Sequence, residues 1–168
     1  MERRCLMVLI LLAAVSLNGL LSFEKGDINM SKSKSIDTKI IKQVKPYLMF
    51  PGTCRQALEF YKNCFNGEIV MMQTFEESPV DVPEEFKNRI FNSEFRADNL
   101  CFMASDDLPG NEVKIGSNFA LFVIFSDKIE KEKVFNKLSE GGKVLFPMEE
   151  NFGMLVDKFG IQWMLESQ

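Results

Sequence analysis

From Lys45 onward, the spacing of apolar and polar positions switches repeatedly between a strand period and a helix period. Pro46 to Phe50 is a short apolar strand, closed by the turn dipeptide Pro51-Gly52. Ala57, Leu58, Phe60, Tyr61 and Phe65 then recur at helical spacing. Thr53 caps the start of this helix, and Asn66-Gly67 ends it in the left-handed conformation those residues tolerate. Ile69 to Phe75 is a strand, and Glu76 to Lys87, with Pro79 and Pro83, is loop with room for one helical turn. Arg89 to Arg96 alternates, and Asp98-Asn99 turns the chain tightly into Leu100 to Ala104, the clearest hairpin in the sequence.

The second half repeats the order. After a loop at Asp107 to Asn111, Asn118 to Phe125 is the near-continuous apolar run of a buried strand. Ile129 to Leu138 is an amphipathic helix with Ile129, Val134, Phe135 and Leu138 inward and its Glu and Lys residues outward. Gly141-Gly142 stops it. Lys143 to Met148 is a strand with Pro147 near its end, and Met154 to Val156 and Ile161 to Leu165 close a hairpin around Lys158-Phe159-Gly160. The order β-α-β-β-β thus occurs twice, in halves of roughly 60 residues. An α+β fold follows: each half lays a helix on a curved sheet, and neither half can bury its concave face alone. Two halves paired edge to edge give a cupped mixed sheet around a pocket of small-molecule size.

Composition then narrows the chemistry. A chain of 168 residues with 46% hydrophobic content has material for one core. Its 20 basic and 24 acidic residues are mixed along the sequence, which leaves no clustered Lys and Arg for nucleic acid. Histidine is absent, so any site must do without the commonest metal ligand and the usual general base. Cys5, Cys54, Cys64 and Cys101 have no zinc-like spacing, and the last three read as small buried apolar residues.

Residues 1–29 form an apolar leader. Arg3 and Arg4 precede an apolar run from Leu6 to Val15, and Ala14-Val15-Ser16 fits a signal-peptidase site. The run is too short for a stable membrane span, which needs about 20 apolar residues. Two readings stand: translation from Met30 with a cytoplasmic protein, or export through a cleaved signal. Residues 30–44 are a polar lead-in, and 45–168 make up one domain.

Pro46-Tyr47-Leu48-Met49-Phe50, Ala57-Leu58-Glu59-Phe60-Tyr61 and Phe65-Asn66-Gly67-Glu68 resemble the opening of PhnB-like proteins of the glyoxalase/bleomycin-resistance/extradiol dioxygenase, or vicinal oxygen chelate, superfamily. Asn92-Ser93-Glu94-Phe95-Arg96, Phe102-Met103-Ala104-Ser105-Asp106, Gly141-Gly142-Lys143-Val144 and Asp157 to Trp163 follow in that family's order. The resemblance implies paired βαβββ modules, a homodimer, and a cup for a metal or a small molecule. In the superfamily's metal enzymes the ligands stand on the first, fourth, fifth and eighth strands. Here those positions fall at Pro46, at Phe102 or Met103, at Phe119 or Leu121, and at Trp163 or Met164. None is a hard oxygen or imidazole donor, so neither metal nor other cofactor is expected. PhnB-like relatives commonly carry histidine where Asn92 stands. Some are labelled ubiquinone methyltransferases, yet no Gly-rich strand-to-helix turn is present, because Gly141-Gly142 follows a helix.

Asn92 and Glu94, two apart on a strand, project from one face and are the best polar pair for orienting a ligand. Gln162 and Met164 form a similar pair on the last strand, and Met103 joins the candidates. Ser105-Asp106-Asp107 looks like a triad fragment but has no histidine to serve as base. Three readings of function remain open. One is a metal-free small-molecule-binding protein. Another is a metal-independent lyase or isomerase, with Glu94 as a base of raised pKa and Asn92 as an oxygen-orienting donor. The third is a dimeric scaffold whose pocket its own side chains fill.

Overall fold

The computed structural model describes residues 43–168, so the readings of the leader and of most of the lead-in lie outside the described residues. The order is β1 (Tyr47–Phe50), α1 (Cys54–Phe65), β2 (Glu68–Thr74), a 3-10 turn (Glu84–Phe86), β3 (Ile90–Ala97), β4 (Leu100–Asp106), β5 (Leu121–Phe125), α2 (Lys128–Ser139), β6 (Lys143–Phe146), β7 (Phe152–Val156) and β8 (Gln162–Ser167). The doubled β-α-β-β-β order is borne out. Among the described residues, no helix is long and apolar enough to cross a membrane.

Each module forms a four-stranded mixed sheet, β1-β4-β3-β2 and β5-β8-β7-β6, in which the first and fourth strands run parallel and the rest antiparallel. Among the described residues the edge-to-edge pairing expected between the halves is not made, and no ladder joins the two sheets. They share a core instead. Leu48, Phe50, Phe95 and Phe102 from the first sheet, Leu121, Leu155, Trp163 and Leu165 from the second, and the apolar faces of both helices belong to one buried cluster. Strand alternation turns the intervening residues of each sheet away from that cluster.

Local differences from the expected pattern have identifiable causes. Thr53 occupies the N-cap position of α1 but makes no side-chain cap bond. Asp106, from the end of β4, does so: its Oδ1 accepts from Cys54 N and its Oδ2 from Ile90 N, both at 2.8 Å. At the other end of α1, Asn66 is left-handed as expected (φ 50°), and Gly67 is required because a Cβ there would lie 2.6 Å from the Phe95 ring. The strand expected from Asn118 starts only at Leu121, and Phe119 is exposed in the preceding loop. In α2 the expected facing is exchanged at two positions. Ile129 is exposed, while Lys131 is fully buried and its Nζ donates to Glu150 O (2.8 Å), Ser167 Oγ (3.1 Å) and Glu149 O (3.5 Å).

Candidate functional site

The residues turned away from the core line the outer face of each sheet. On the first sheet, register aligns Tyr47 with Met103, Met103 with Glu94 and Glu94 with Met71, one row across all four strands. The next step places Met49 beside Ser105, and Gln73 beside Asn92. The structure therefore brings Asn92, Glu94 and Met103 together on one face. Gln162 and Met164 stand on the outer face of the second sheet, where Phe122, Met164, Met154 and Phe146 form the corresponding row. Two candidate clusters thus occupy two sheets that share no ladder.

Glu94 does not sit in the apolar setting expected for a base of raised pKa. Its carboxylate pairs with Lys45 (2.9 Å) and Arg96 (2.8 Å), and the Cys101 thiol lies 3.5 Å away. The hydrogen bond from Lys45, followed by that from Arg96, holds its pKa below the usual 4.5, the opposite of the raised value a general base near neutral pH needs. The expectation of an apolar setting fails because both cations reach the same carboxylate. Cys101 is partly exposed beside this cluster, which corrects its reading as a core residue. Cys54 and Cys64 are buried as expected, and burial pushes both thiols up to about 12.

Asn92 behaves differently. Among the described residues, its Oδ1 is the buried side-chain nitrogen or oxygen that has no hydrogen-bond partner. An acceptor left in that state costs about 1–3 kcal/mol, so any donor that reaches it, from a water or from a ligand, is favoured.

The superfamily's metal does not fit these residues. At each pair of candidate positions one residue is in the core, namely Phe102, Leu121 and Trp163. Of their alternatives, Met103 and Met164 face outward with soft thioether sulfurs, and Phe119 lies outside β5. No group of three His, Cys, Asp or Glu side chains among the described residues could hold a metal ion. The two strand-to-helix turns are equally ill suited to a phosphate-bearing cofactor, because carboxylates already occupy both helix starts. Asp106 takes Cys54 N at α1, and Asp127 takes Glu130 N (2.8 Å) at α2.

Sequence reasoning missed the most heavily used polar group. Asp157, 3% exposed, accepts through Oδ2 from Tyr61 Oη and Trp163 Nε1 (both 2.8 Å), and through Oδ1 from Phe159 N (2.9 Å) and Ile161 N (3.0 Å). This carboxylate ties α1 of the first module to the β7-β8 turn of the second, and burial beside it keeps the Tyr61 phenol protonated, its pKa raised well above 10. The signal available in the sequence was an Asp four residues before Ile161 in a Gly-containing turn, a common self-bonding arrangement.

Comparison with known proteins agrees with this architecture. A family model described as 3-demethylubiquinone-9 3-methyltransferase matches residues 42–166. The chain belongs to that family. The structure of protein PA1353 from Pseudomonas aeruginosa is similar at 32% identity and a TM-score of 0.69, covering 75% of this chain and 97% of that one. A PhnB protein from Bacillus cereus, described with the same methyltransferase name, is similar at 26% identity and a TM-score of 0.64 over 76% of this chain and 100% of its own. FosX, a fosfomycin resistance protein of Listeria monocytogenes, is 12% identical with a TM-score of 0.53 over 75% of this chain and 90% of its own, a likeness of fold alone. The family is thus PhnB-like, and the fold is that of the glyoxalase/bleomycin-resistance, vicinal oxygen chelate superfamily.

Proposed function

We propose that the chain is a metal-independent small-molecule-binding protein whose ligand lies on the outer face of the first sheet, against Asn92, Glu94 and Met103. The unpartnered Asn92 Oδ1 is the observation that carries this reading. A flat, uncharged ligand suits the face: Glu94 is already engaged by Lys45 and Arg96 and is not free to meet a cation, the open Asn92 Oδ1 accepts a hydrogen and so does not select an anion, and the neighbours Tyr47, Met49, Met71 and Met103 are aromatic or thioether surfaces that adapt to an apolar body. The ligand supplies an N–H or O–H to Asn92.

Two copies of the chain complete the cup in this reading. Tyr47 and Met49 on one sheet, and Phe122, Ile124 and Phe146 on the other, are 49–56% exposed, large apolar side chains on both outer faces that a partner would cover. A homodimer covers both faces and brings Gln162 and Met164 of the partner's sheet over the ligand. Light scattering should report a dimer, and Phe122→Glu should shift it toward monomer; a wild-type monomer at micromolar concentration contradicts the pairing. Benzamide, a flat molecule with an amide donor, tests the binding face by NMR titration. Signals of Met71, Asn92 and Met103 should move together, and Asn92→Ala should weaken the response about tenfold with the fold unchanged. Movement confined to other residues contradicts this assignment.

A further inference from the structure

A second cavity touches the first sheet at Met49 but is lined by neither Asn92 nor Glu94. A groove of about 660 Å³ opens between β1, the start of α1, the loop before β5 and the β7-β8 turn, within the size range of small-molecule pockets. Its walls are mainly apolar, with Leu48, Ile115, Phe119, Phe159 and Ile161 contributing large side chains. Ile115 is seated directly over Gly160, where a Cβ would come within 2.7 Å of its Cδ1. The loop is thus fitted to the turn, although Ile115 and Phe119 remain 71% and 60% exposed.

The charges at this groove have one sign. Lys114 and Lys158 line it, and no acidic residue does. Lys158 Nζ lies 4.1 Å from the Phe60 ring centroid and 5.5 Å from that of Phe159, and no carboxylate of the described residues pairs with it. The ammonium is therefore held by aromatic faces at the edge of an apolar cavity. Backbone N–H groups of Val113 to Gly116 take no part in the backbone hydrogen bonds of the described residues.

We propose that this groove is a second binding site, for a monocarboxylate with an apolar body, whose chain lies along Ile115, Phe119 and Ile161 and whose carboxylate meets Lys158. Apolar walls select the body, and the uniformly cationic lining selects the anion over a neutral molecule of the same length.

The test uses the full chain with octanoate and, as neutral control, 1-octanol, by calorimetry or NMR. Octanoate should bind once per chain and more tightly than octanol, and added salt should weaken it. Lys158→Met should weaken octanoate about fivefold and leave octanol within about twofold. Ile115→Ser, at an exposed position, should weaken both. Asn92→Ala should change neither, which separates this site from the sheet face. Absence of octanoate binding up to about 10 mM overturns the proposal. So does unchanged affinity in both groove variants, or loss of affinity in Asn92→Ala. If Ile115→Ser alters the mass by light scattering and leaves octanoate affinity intact, the groove is a contact between copies and the proposal falls.

Discussion

Asp157→Asn probes the junction between the two modules. The carboxylate receives four hydrogen bonds at 2.8–3.0 Å, two on each oxygen, and its partners Tyr61 and Trp163 are fully buried. An asparagine keeps one acceptor oxygen and turns an NH₂ group toward two donors. If that group replaces Oδ2, the Tyr61 hydroxyl can rotate to accept, but the indole N–H can only donate; if it replaces Oδ1, two backbone N–H groups are stranded. Each stranded donor costs about 1–3 kcal/mol, and the remaining bonds lose their charge assistance, so the total is about 3–5 kcal/mol. For a domain of this size that lowers Tm by roughly 10–20 °C. Tyr61→Phe removes one donor, leaves three on the carboxylate, and should cost about 1 kcal/mol. Urea unfolding followed by fluorescence of Trp163, the chain's only tryptophan, and by circular dichroism measures both. In the Asp157→Asn background the cost of Tyr61→Phe should shrink, because the pair is coupled. A loss within about 1 kcal/mol of wild type for Asp157→Asn, or one no larger than that of Tyr61→Phe, would refute the argument.

Further outcomes follow from other groups. Asp106→Ala should cost about 2–4 kcal/mol in urea unfolding, since Cys54 N and Ile90 N both lose their acceptor, whereas Thr53→Ala should cost under about 0.5 kcal/mol because its side chain makes no cap bond. Toward a disulfide reagent at pH 8, Cys101 should react before Cys54 and Cys64, whose pKa near 12 keeps them protonated; fast modification of Cys54 contradicts this. Glu94 has a folded pKa depressed below 4.5, so the stability its ionised form contributes is present at neutral pH and is lost as pH falls through the folded value. Glu94→Gln should therefore be less stable than wild type at neutral pH and low salt, with the difference closing below about pH 4.5; a gap that widens in acid contradicts the sign.

The parts of the fold legible in the sequence are those that depend on local period. Ala57, Leu58 and Tyr61 repeat at helical spacing and are buried in α1, and the Asp98-Asn99 turn joins β3 to β4 with Asp98 at φ 48°. Alternation also sufficed to put Asn92 and Glu94 on one face. What the local pattern could not show was where buried polar groups find partners. Asp106 caps a helix 52 residues earlier in the chain, and Tyr61 meets its acceptor 96 residues later. Lys131 is drawn inward by oxygens 18 to 36 residues away, against its place in the amphipathic pattern. The same limit hid the state of Glu94. Its strand face followed from alternation, but its pairing with Lys45 depends on where the residue two positions before β1 meets β3.

On the proposed function, the outer face of the first sheet binds a neutral small molecule through Asn92 and without a metal. Calorimetric titration of benzamide into the full chain, before and after exhaustive dialysis against a chelator, and into Asn92→Ala, addresses it directly. Affinity should be the same before and after chelation and about tenfold weaker in the variant. Binding that disappears with the chelator, or that persists unchanged in Asn92→Ala, contradicts it.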